Sequence, residues 1–357
     1  MSIHVALMGL SHPHGAPYLE TLRSLESVEA VSVWDADPHS LAELEPAAEG
    51  KIRRVTGDAQ EILEDESIRA ALVALPTKHI PEMTRRFLQR GRHVLAEKPG
   101  AAHPDDWAPL VEEAEQRRLV LGVSYPWRCH PLCLKIRELV ESGVLGQIRS
   151  VEARWIASQV RFRNPDLWLF KRELAGGGIL AWLGCHWVDL LRFLTGDEVS
   201  EVSCVTARGT DRIDVEDSAS LAIRLSAGAV GTIRTGYHLA ISPEGYVGGR
   251  YDMYLALSGT EGAVRWEPRS SQASHLLVES TRSGWEGERS IEHTPEQAPG
   301  YVGAMGRDFV DAFVRAAQGD GSVPADGRDG LHTLRVLDAA YASNESRRRI
   351  ALAGAAG

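Results

Sequence analysis

A chain of 357 residues is too long for one small domain and comfortable for two, and at 43% hydrophobic and 25% charged residues it can bury a large core. Its 39 Lys and Arg face 49 Asp and Glu, a formal net charge of −10 with no long basic run, which argues against a nucleic-acid or anionic-membrane surface. No apolar run approaches the length expected of a bilayer span, and the four cysteines (Cys129, Cys133, Cys185, Cys204) are too few and scattered to staple the chain.

The stretch "MSIHVALMG" enters a strand pattern at once, without a basic segment, a long apolar stretch and a cleavage site, so a cytoplasmic protein with reduced thiols is expected. From residue 3 to about 123, short apolar runs alternate with helical patterns. "IHVALMG" leads into "APYLETLRSL", "AVSVWD" into "PHSLAELE", "AALVALP" into "IPEMTRRFLQRG", and "HVLAEKP" into "DDWAPLVEEAEQRR", before "LVLGVS" closes the series. Continuous apolar strands separated by helices predict a doubly wound parallel sheet over 1–123.

The rest, 124–357, has another rhythm. After a helix over "HPLCLKIRELVESG" come runs that alternate better: "QIRSVEARWIA", "EVSCVTARG", "SASLAIRLSAGAVGTIRTGYHL", "YDMYLALSG" and "HLLVES". "SAGA" reads as a hairpin turn, "PEQAPG" as a loop, and two amphipathic helices end the chain. The expected fold is therefore α/β, a Rossmann domain followed by an α+β domain with a large open, mostly antiparallel sheet.

The first strand ends in "MGLSHPHGAPY". The dinucleotide fingerprint asks for three glycines, G-x-G-x-x-G, between a strand and a helix. Gly9 holds the first place, Ser11 and His14 the second and third, with Gly15 just after. Asp35, at the end of the second run, is placed to accept from an adenosine ribose, and "ADPHS" after it offers no cation for a 2′-phosphate, so NAD is favoured over NADP. His12 and His14 read as lining the turn: two histidines without a nearby carboxylate are an incomplete metal set. Cys129, His130, Cys133 and Cys185 match no closed zinc spacing, so no metal is expected.

"AEKPGA" places Glu97, Lys98 and Pro99 at the carboxyl edge of the sheet, where ligands bind in such folds. Lys98 there can hold a substrate hydroxyl or move a proton, or be a solvated surface lysine. Further on, "GGGILAWLGCHWVDLL" feeds three glycines into an apolar helix carrying His186, either a core histidine or a proton carrier. On a regular helix, 182, 186, 189 and 190 share one side, which gives His186 Trp182 one turn back and Asp189 one turn forward, either to fix its tautomer or as an ordinary structural carboxylate.

With "VALPTKHIPEM", "GRHVLAEKPGA", "GVLGQIRSVEARW", "SGTEGAVRW" and "GRDFVDAFVRAAQG" in this order, the chain resembles the glucose–fructose oxidoreductase/inositol dehydrogenase/MocA family over nearly its full length. The resemblance implies an NAD(P)-dependent oxidoreductase acting on sugars, cyclitols or related polyols, often assembled as a homodimer or homotetramer through the open sheet. It implies Lys98 and His186 as the catalytic pair, with Pro76, Thr77, His79 and Glu97 joining Gly9, Ser11, His12, His14 and Asp35 on the cofactor side. One turn before the histidine the family usually has an aspartate; this chain has Trp182.

Candidate substrate contacts are Trp127, Arg128, Arg163, Trp168, Lys171, Trp182, Asp189, Tyr237 and His238, basic and aromatic groups suited to a polyhydroxylated or carboxylated ligand. Three readings fit these residues. One is reversible hydride transfer at a carbinol; another is a redox-neutral cycle in which NAD oxidises the substrate transiently before elimination, glycoside cleavage or epimerisation. The third is a nucleotide-binding regulator without catalysis.

Overall fold

The computed structural model describes residues 2–42, 44, 50–240, 251–268 and 273–352. Part of the expected "PHSLAELE" helix lies outside the described residues; Pro38–Leu41 within it is helical. The chain divides into two compact units, residues 1–129 with 296–331, and residues 130–295 with 332–357. The expected single cut at 123 therefore misplaces 296–331, which packs with the first unit. The reason is local: Ala325 O accepts from Val123 N, and Tyr301 lies against Tyr18 with ring centroids 4.4 Å apart.

In the first unit the strands are β1 (Ile3–Met8), β2 (Val28–Trp34), β3 (Ile52–Thr56), β4 (Ile68–Val73), β5 (His93–Ala96) and β6 (Leu121–Val123). They form one parallel sheet in the order β3-β2-β1-β4-β5-β6 among the described residues, the doubly wound arrangement that opens a crevice at the carboxyl ends of β1 and β4. Helices α1 (Gly15–Ser24), α2 (Pro38–Leu41), α3 (Ala59–Glu64), α4 (Ile80–Gln89) and α5 (Pro104–Arg117) connect them. β3 escapes the sequence pattern because "IRRVT" is an edge strand with two exposed arginines, so no apolar run marks it.

The second unit begins with α6 (Pro131–Glu141) and β7 (Ile148–Ile156), then a one-turn helix α7 (Arg172–Ala175), a π turn over Leu180–Gly184 and α8 (Cys185–Thr195). Strands β8 (Val199–Ala207), β9 (Ser218–Leu225), β10 (Val230–Gly236), β11 (Asp252–Gly259), β12 (Gly262–Trp266), β13 (Ser274–Ser280), β14 (Gly287–His293) and β15 (Ile350–Ala351) complete it. Among the described residues the sheet order is β14-β13-β12-β11-β7-β10-β9-β8-β15, antiparallel except for the central β7–β10 pair. "SAGA" turns β9 into β10, as expected.

In β9 the burial alternates residue by residue, so one face of this sheet is covered and the other open. The π turn lies against β10, and α8 against β7 and α6. The stretch Arg172–Thr195 is in fact long and apolar enough to cross a membrane, but 89% of its apolar window is buried in the protein, as in the core helix of a soluble protein. All four cysteines are free thiols.

Helices α9 (Ala304–Ala317) and α10 (Gly327–Ser346) close the chain; α10 starts in the first unit and continues in the second. Trp107 of α5 fastens the start of α10: it is fully buried, and its Nε1 donates to Gly327 O at 2.9 Å. Trp107→Ala should cost about 3–5 kcal/mol from the cavity alone, read as a lowered midpoint in urea unfolding.

Candidate active site

Two glycines shape the turn after β1. Gly9 has φ +107°, and a Cβ there would meet Ala74 O at 1.9 Å; a Cβ on Gly15 would meet Leu10 O at 2.3 Å. The close helix–strand packing asked of the third fingerprint glycine thus falls to Gly15. That frees position 14 to carry a side chain.

Ser11 ties the turn to β2, its N–H donating to Asp35 Oδ2 at 2.6 Å and its hydroxyl to Oδ1 at 3.0 Å. Beside them a cavity of about 430 Å³ is lined by Ser11, Trp34, Asp35, Pro76, His79 and Arg86 among others, and Thr77 is buried at the start of the turn that carries His79. The cradle fits a dinucleotide: glycine backbone at the turn, a carboxylate at the end of β2 and an apolar wall at Leu75 and Pro76. Arg86 reaches this pocket from α4, a cation the local run after Asp35 does not offer. Its Nη2 is engaged with Gln60, and Asp35, Asp37 and Glu82 line the same cavity, poor surroundings for a 2′-phosphate.

Glu97 and Lys98 follow β5, both 1% exposed, which removes the surface-lysine reading. Glu97 Oε1 accepts from His14 Nδ1 at 3.1 Å and lies 3.6 Å from Lys98 Nζ; Oε2 accepts from the Tyr18 hydroxyl at 2.5 Å. Tyr18 Oη is also 2.7 Å from Ser124 Oγ, and Tyr301 packs on His14 with centroids 4.5 Å apart. Burial alone would raise the Glu97 carboxyl, but His14 and Lys98 outweigh it and hold it well below the usual range. Burial lowers both His12 and His14, and burial with Glu97 raises Tyr18.

The fold therefore supplies the carboxylate that the histidine pair lacks in sequence, with candidate ligand atoms within 4.8 Å of one another. His12 Nδ1, however, already accepts from His14 N at 3.0 Å, and the Glu97 oxygens are met by His14, Tyr18 and the Lys98 cation. The three form a hydrogen-bonded cluster.

In the second unit the glycine triplet serves the protein itself. A Cβ on Gly177 would meet Tyr341 Oη at 2.0 Å, and one on Gly178 would meet Glu216 O at 2.0 Å. Glu216 fills the space so kept: Oε2 accepts from Gly178 N at 2.8 Å, and Oε1 from Leu180 N at 3.1 Å and from the Tyr341 hydroxyl at 2.9 Å. Burial raises this carboxyl, and the backbone bonds work against that rise. Sequence reasoning missed Glu216 and Tyr341. An acid in "DVEDSAS" reads as a turn residue, and nothing local shows that it caps a helix 38 positions earlier in the chain.

Trp182 lies within the π turn over Leu180–Gly184, and His186 follows in the first turn of α8. Four residues are close to one turn in either geometry, so the two stay towards the same side, yet they meet different rings. Trp182 meets Trp168 edge-on with centroids 5.6 Å apart, while His186 lies on Trp155 at 5.6 Å. His186 and Asp189 remain within the regular helix, three apart, at 4% and 1% exposed.

Trp155 in turn meets Tyr251 at 5.5 Å, and the Arg163 guanidinium covers the Tyr237 ring at 4.8 Å while its Nη2 donates to Ser158 Oγ at 2.7 Å. Burial raises both tyrosines, and Arg163 opposes it. Three candidate contacts are engaged elsewhere. Arg128 pairs with Asp329 at 2.8 Å and with Pro324 O inside the first unit, beside Trp127. Lys171 is a surface cation 3.6 Å from Asp166, and His238 is exposed beside Ser218.

Two family models match: the oxidoreductase family NAD-binding Rossmann fold over residues 3–125 and the GFO/IDH/MocA C-terminal domain over 133–265. The chain belongs to the GFO/IDH/MocA family. It is an oxidoreductase whose first unit is an NAD-binding Rossmann domain. It is 30% identical over 265 residues to the dTDP-3,4-didehydro-2,6-dideoxy-alpha-D-glucose 3-reductase of Streptomyces violaceoruber, covering 73% of this chain and 71% of that one. It is 23% identical to the inositol 2-dehydrogenase of Rhizobium meliloti over 99% of this chain and 100% of that one. A levoglucosan dehydrogenase solved with NADH and levoglucosan has the same fold, with TM-score 0.82, 20% identity and 99% and 100% of the two chains covered.

The buried histidines of this GFO/IDH/MocA protein set a pH dependence. An unfolded histidine takes a proton near 6.5, while burial disfavours that proton on folded His12 and His14. Their contribution is therefore full above that value and lost as pH falls through it towards the folded values. The thermal midpoint should drop on acidification from about pH 6.5, and His12→Gln should flatten the slope measured by scanning calorimetry.

Proposed function

We propose that the enzyme transfers hydride reversibly between nicotinamide and a carbinol carbon of a sugar, cyclitol or related polyol. Bound at the cavity beside Asp35, NAD supplies a two-electron acceptor at nicotinamide C4. The family resemblance gives His186 the role of general base for the hydroxyl proton and Lys98 that of hydrogen-bond donor to the developing alkoxide. Gly9 and Ser11 hold the pyrophosphate side, and Asp35 accepts from the ribose. The carrying observation is the wholly buried Glu97–Lys98 pair, a cation placed at the carboxyl edge of the dinucleotide sheet with its carboxylate partner beside it. Trp168, half-buried and meeting Trp182 edge-on, offers an aromatic surface for the apolar face of a sugar ring.

Because Trp182 stands where a carboxylate is expected, a redox-neutral cycle is the second reading. Both are tested by monitoring absorbance of NADH while the protein turns over a panel of aldoses, cyclitols and anhydrosugars. Net NADH formation supports the dehydrogenase; turnover without it, with solvent deuterium entering product, supports the cycle. His186→Ala should lower kcat about 100-fold or more while leaving NADH binding unchanged. No turnover on any panel member, with NADH still bound, would leave the regulator.

We place the protein in the cytoplasm as a homodimer or homotetramer joined through the open face of the second sheet. That face holds a shallow concavity of about 710 Å³ whose lining includes Glu152, Glu201, Arg224, Tyr254, Arg265 and Arg349. Its mixture of charges suits a self-complementary contact. Light scattering should give a mass of two or four chains, and Arg224→Glu with Arg265→Glu should reduce it to one.

A further inference from the structure

His14 is the chain's departure from the dinucleotide fingerprint, and its side chain is spent on the other motif of the same unit. It donates to the very oxygen, Glu97 Oε1, that lies beside Lys98 Nζ. A carboxylate oxygen divides its charge among the donors that meet it, so a bond to His14 weakens the hold of Glu97 on the lysine. The second oxygen is committed to Tyr18, which is held in turn by Ser124, so the carboxylate cannot rotate to offer Lys98 a better face. With Lys98 and Glu97 excluded from water, solvent does not screen this competition.

We propose that His14 is a positioning residue that sets the proton affinity of Lys98 through the shared Glu97 oxygen. The groups facing this pair are His12 and His14 from the turn after β1, Tyr18 from α1, Tyr301 from the segment before α9 and the Ser124 hydroxyl after β6. The carboxylate would otherwise keep the lysine firmly protonated. His14 draws charge away from it and so leaves the ammonium a more acidic, stronger hydrogen-bond donor to the developing alkoxide. The sign is the same whichever charge His14 carries: as a neutral donor it competes for Glu97, and as a cation it also repels Lys98. The catalytic meaning rests on the function proposed above for Lys98, but the proton affinity itself can be measured without substrate.

The chain has five lysines, at 51, 78, 98, 135 and 171, few enough for direct observation. Protein labelled with 13C at lysine Cε is titrated by NMR from about pH 6 to about pH 11, the Lys98 signal being assigned by its loss in Lys98→Met. His14→Ala should raise the Lys98 midpoint by about one pH unit, a tenfold gain in proton affinity, and Tyr18→Phe should raise it by a smaller amount. His14→Gln, which keeps a neutral donor, should return it to near the wild-type value, and His14→Leu, which has no donor, should raise it as alanine does and serves if the alanine variant does not fold. A Lys98 midpoint in His14→Ala or His14→Leu equal to that of wild type, or a signal that stays in one state throughout in all of them, overturns the proposal. NADH binding, measured by its fluorescence in the same samples, reports separately on the oxidoreductase reading.

Discussion

A carboxylate withdrawn from water has to be met by donors on every side, and Glu97 is the group on which the first unit's chemistry depends. Its two oxygens collect an imidazole from the turn after β1, a phenol from α1 and the ammonium of the next residue. Each donor comes from a different element, so the carboxylate fixes the turn, the helix and the edge of β5 relative to one another. The same arrangement puts Lys98 out of solvent with a counter-charge beside it, which is what a buried cation needs to stay in place.

The second unit solves a similar problem with Glu216. Its carboxylate accepts two backbone N–H groups at the start of a helical segment, where such groups have no partner of their own, and a tyrosine hydroxyl besides. Glycine at 177 and 178 is the condition for this, since any side chain there would occupy the space of Tyr341 and Glu216. The helical segment leading to His186 is therefore anchored at its first turn by a residue just before β9. The π turn lies between that anchor and α8.

Legibility tracked the range of the interactions. The parallel sheet was readable because five of its six strands are continuous apolar runs separated by helical periods; β3, exposed at the edge, was not. The alternating strands of the second sheet and the "SAGA" turn were readable for the same reason. Glu97, Lys98 and His186 stood out by residue type in a telling place. Tyr18, Glu216, Tyr341 and Trp155 did not, because an ordinary tyrosine, acid or tryptophan becomes part of a site only through a partner far along the chain. Likewise Arg128, Lys171 and His238 had the right chemistry for ligand contacts, yet the fold engages the first in a buried ion pair and leaves the other two on the surface.

By itself, then, the sequence determined the two-part α/β organisation, the glycine turn after β1 with Asp35 at the end of β2, and the placement of Lys98 at the carboxyl edge of the sheet. These rest on local periodicity and on glycine and proline, whose effects act within a few residues. Tertiary structure alone decided that 296–331 joins the first unit and that the glycine triplet makes room for Glu216 and Tyr341. It decided too that Trp182 and His186 meet different rings, and that His14 meets the carboxylate beside Lys98. Most of those outcomes depend on groups far apart in the chain sharing one buried space, as Gly178, Glu216 and Tyr341 do across 38 and 125 positions, and no local pattern encodes that meeting.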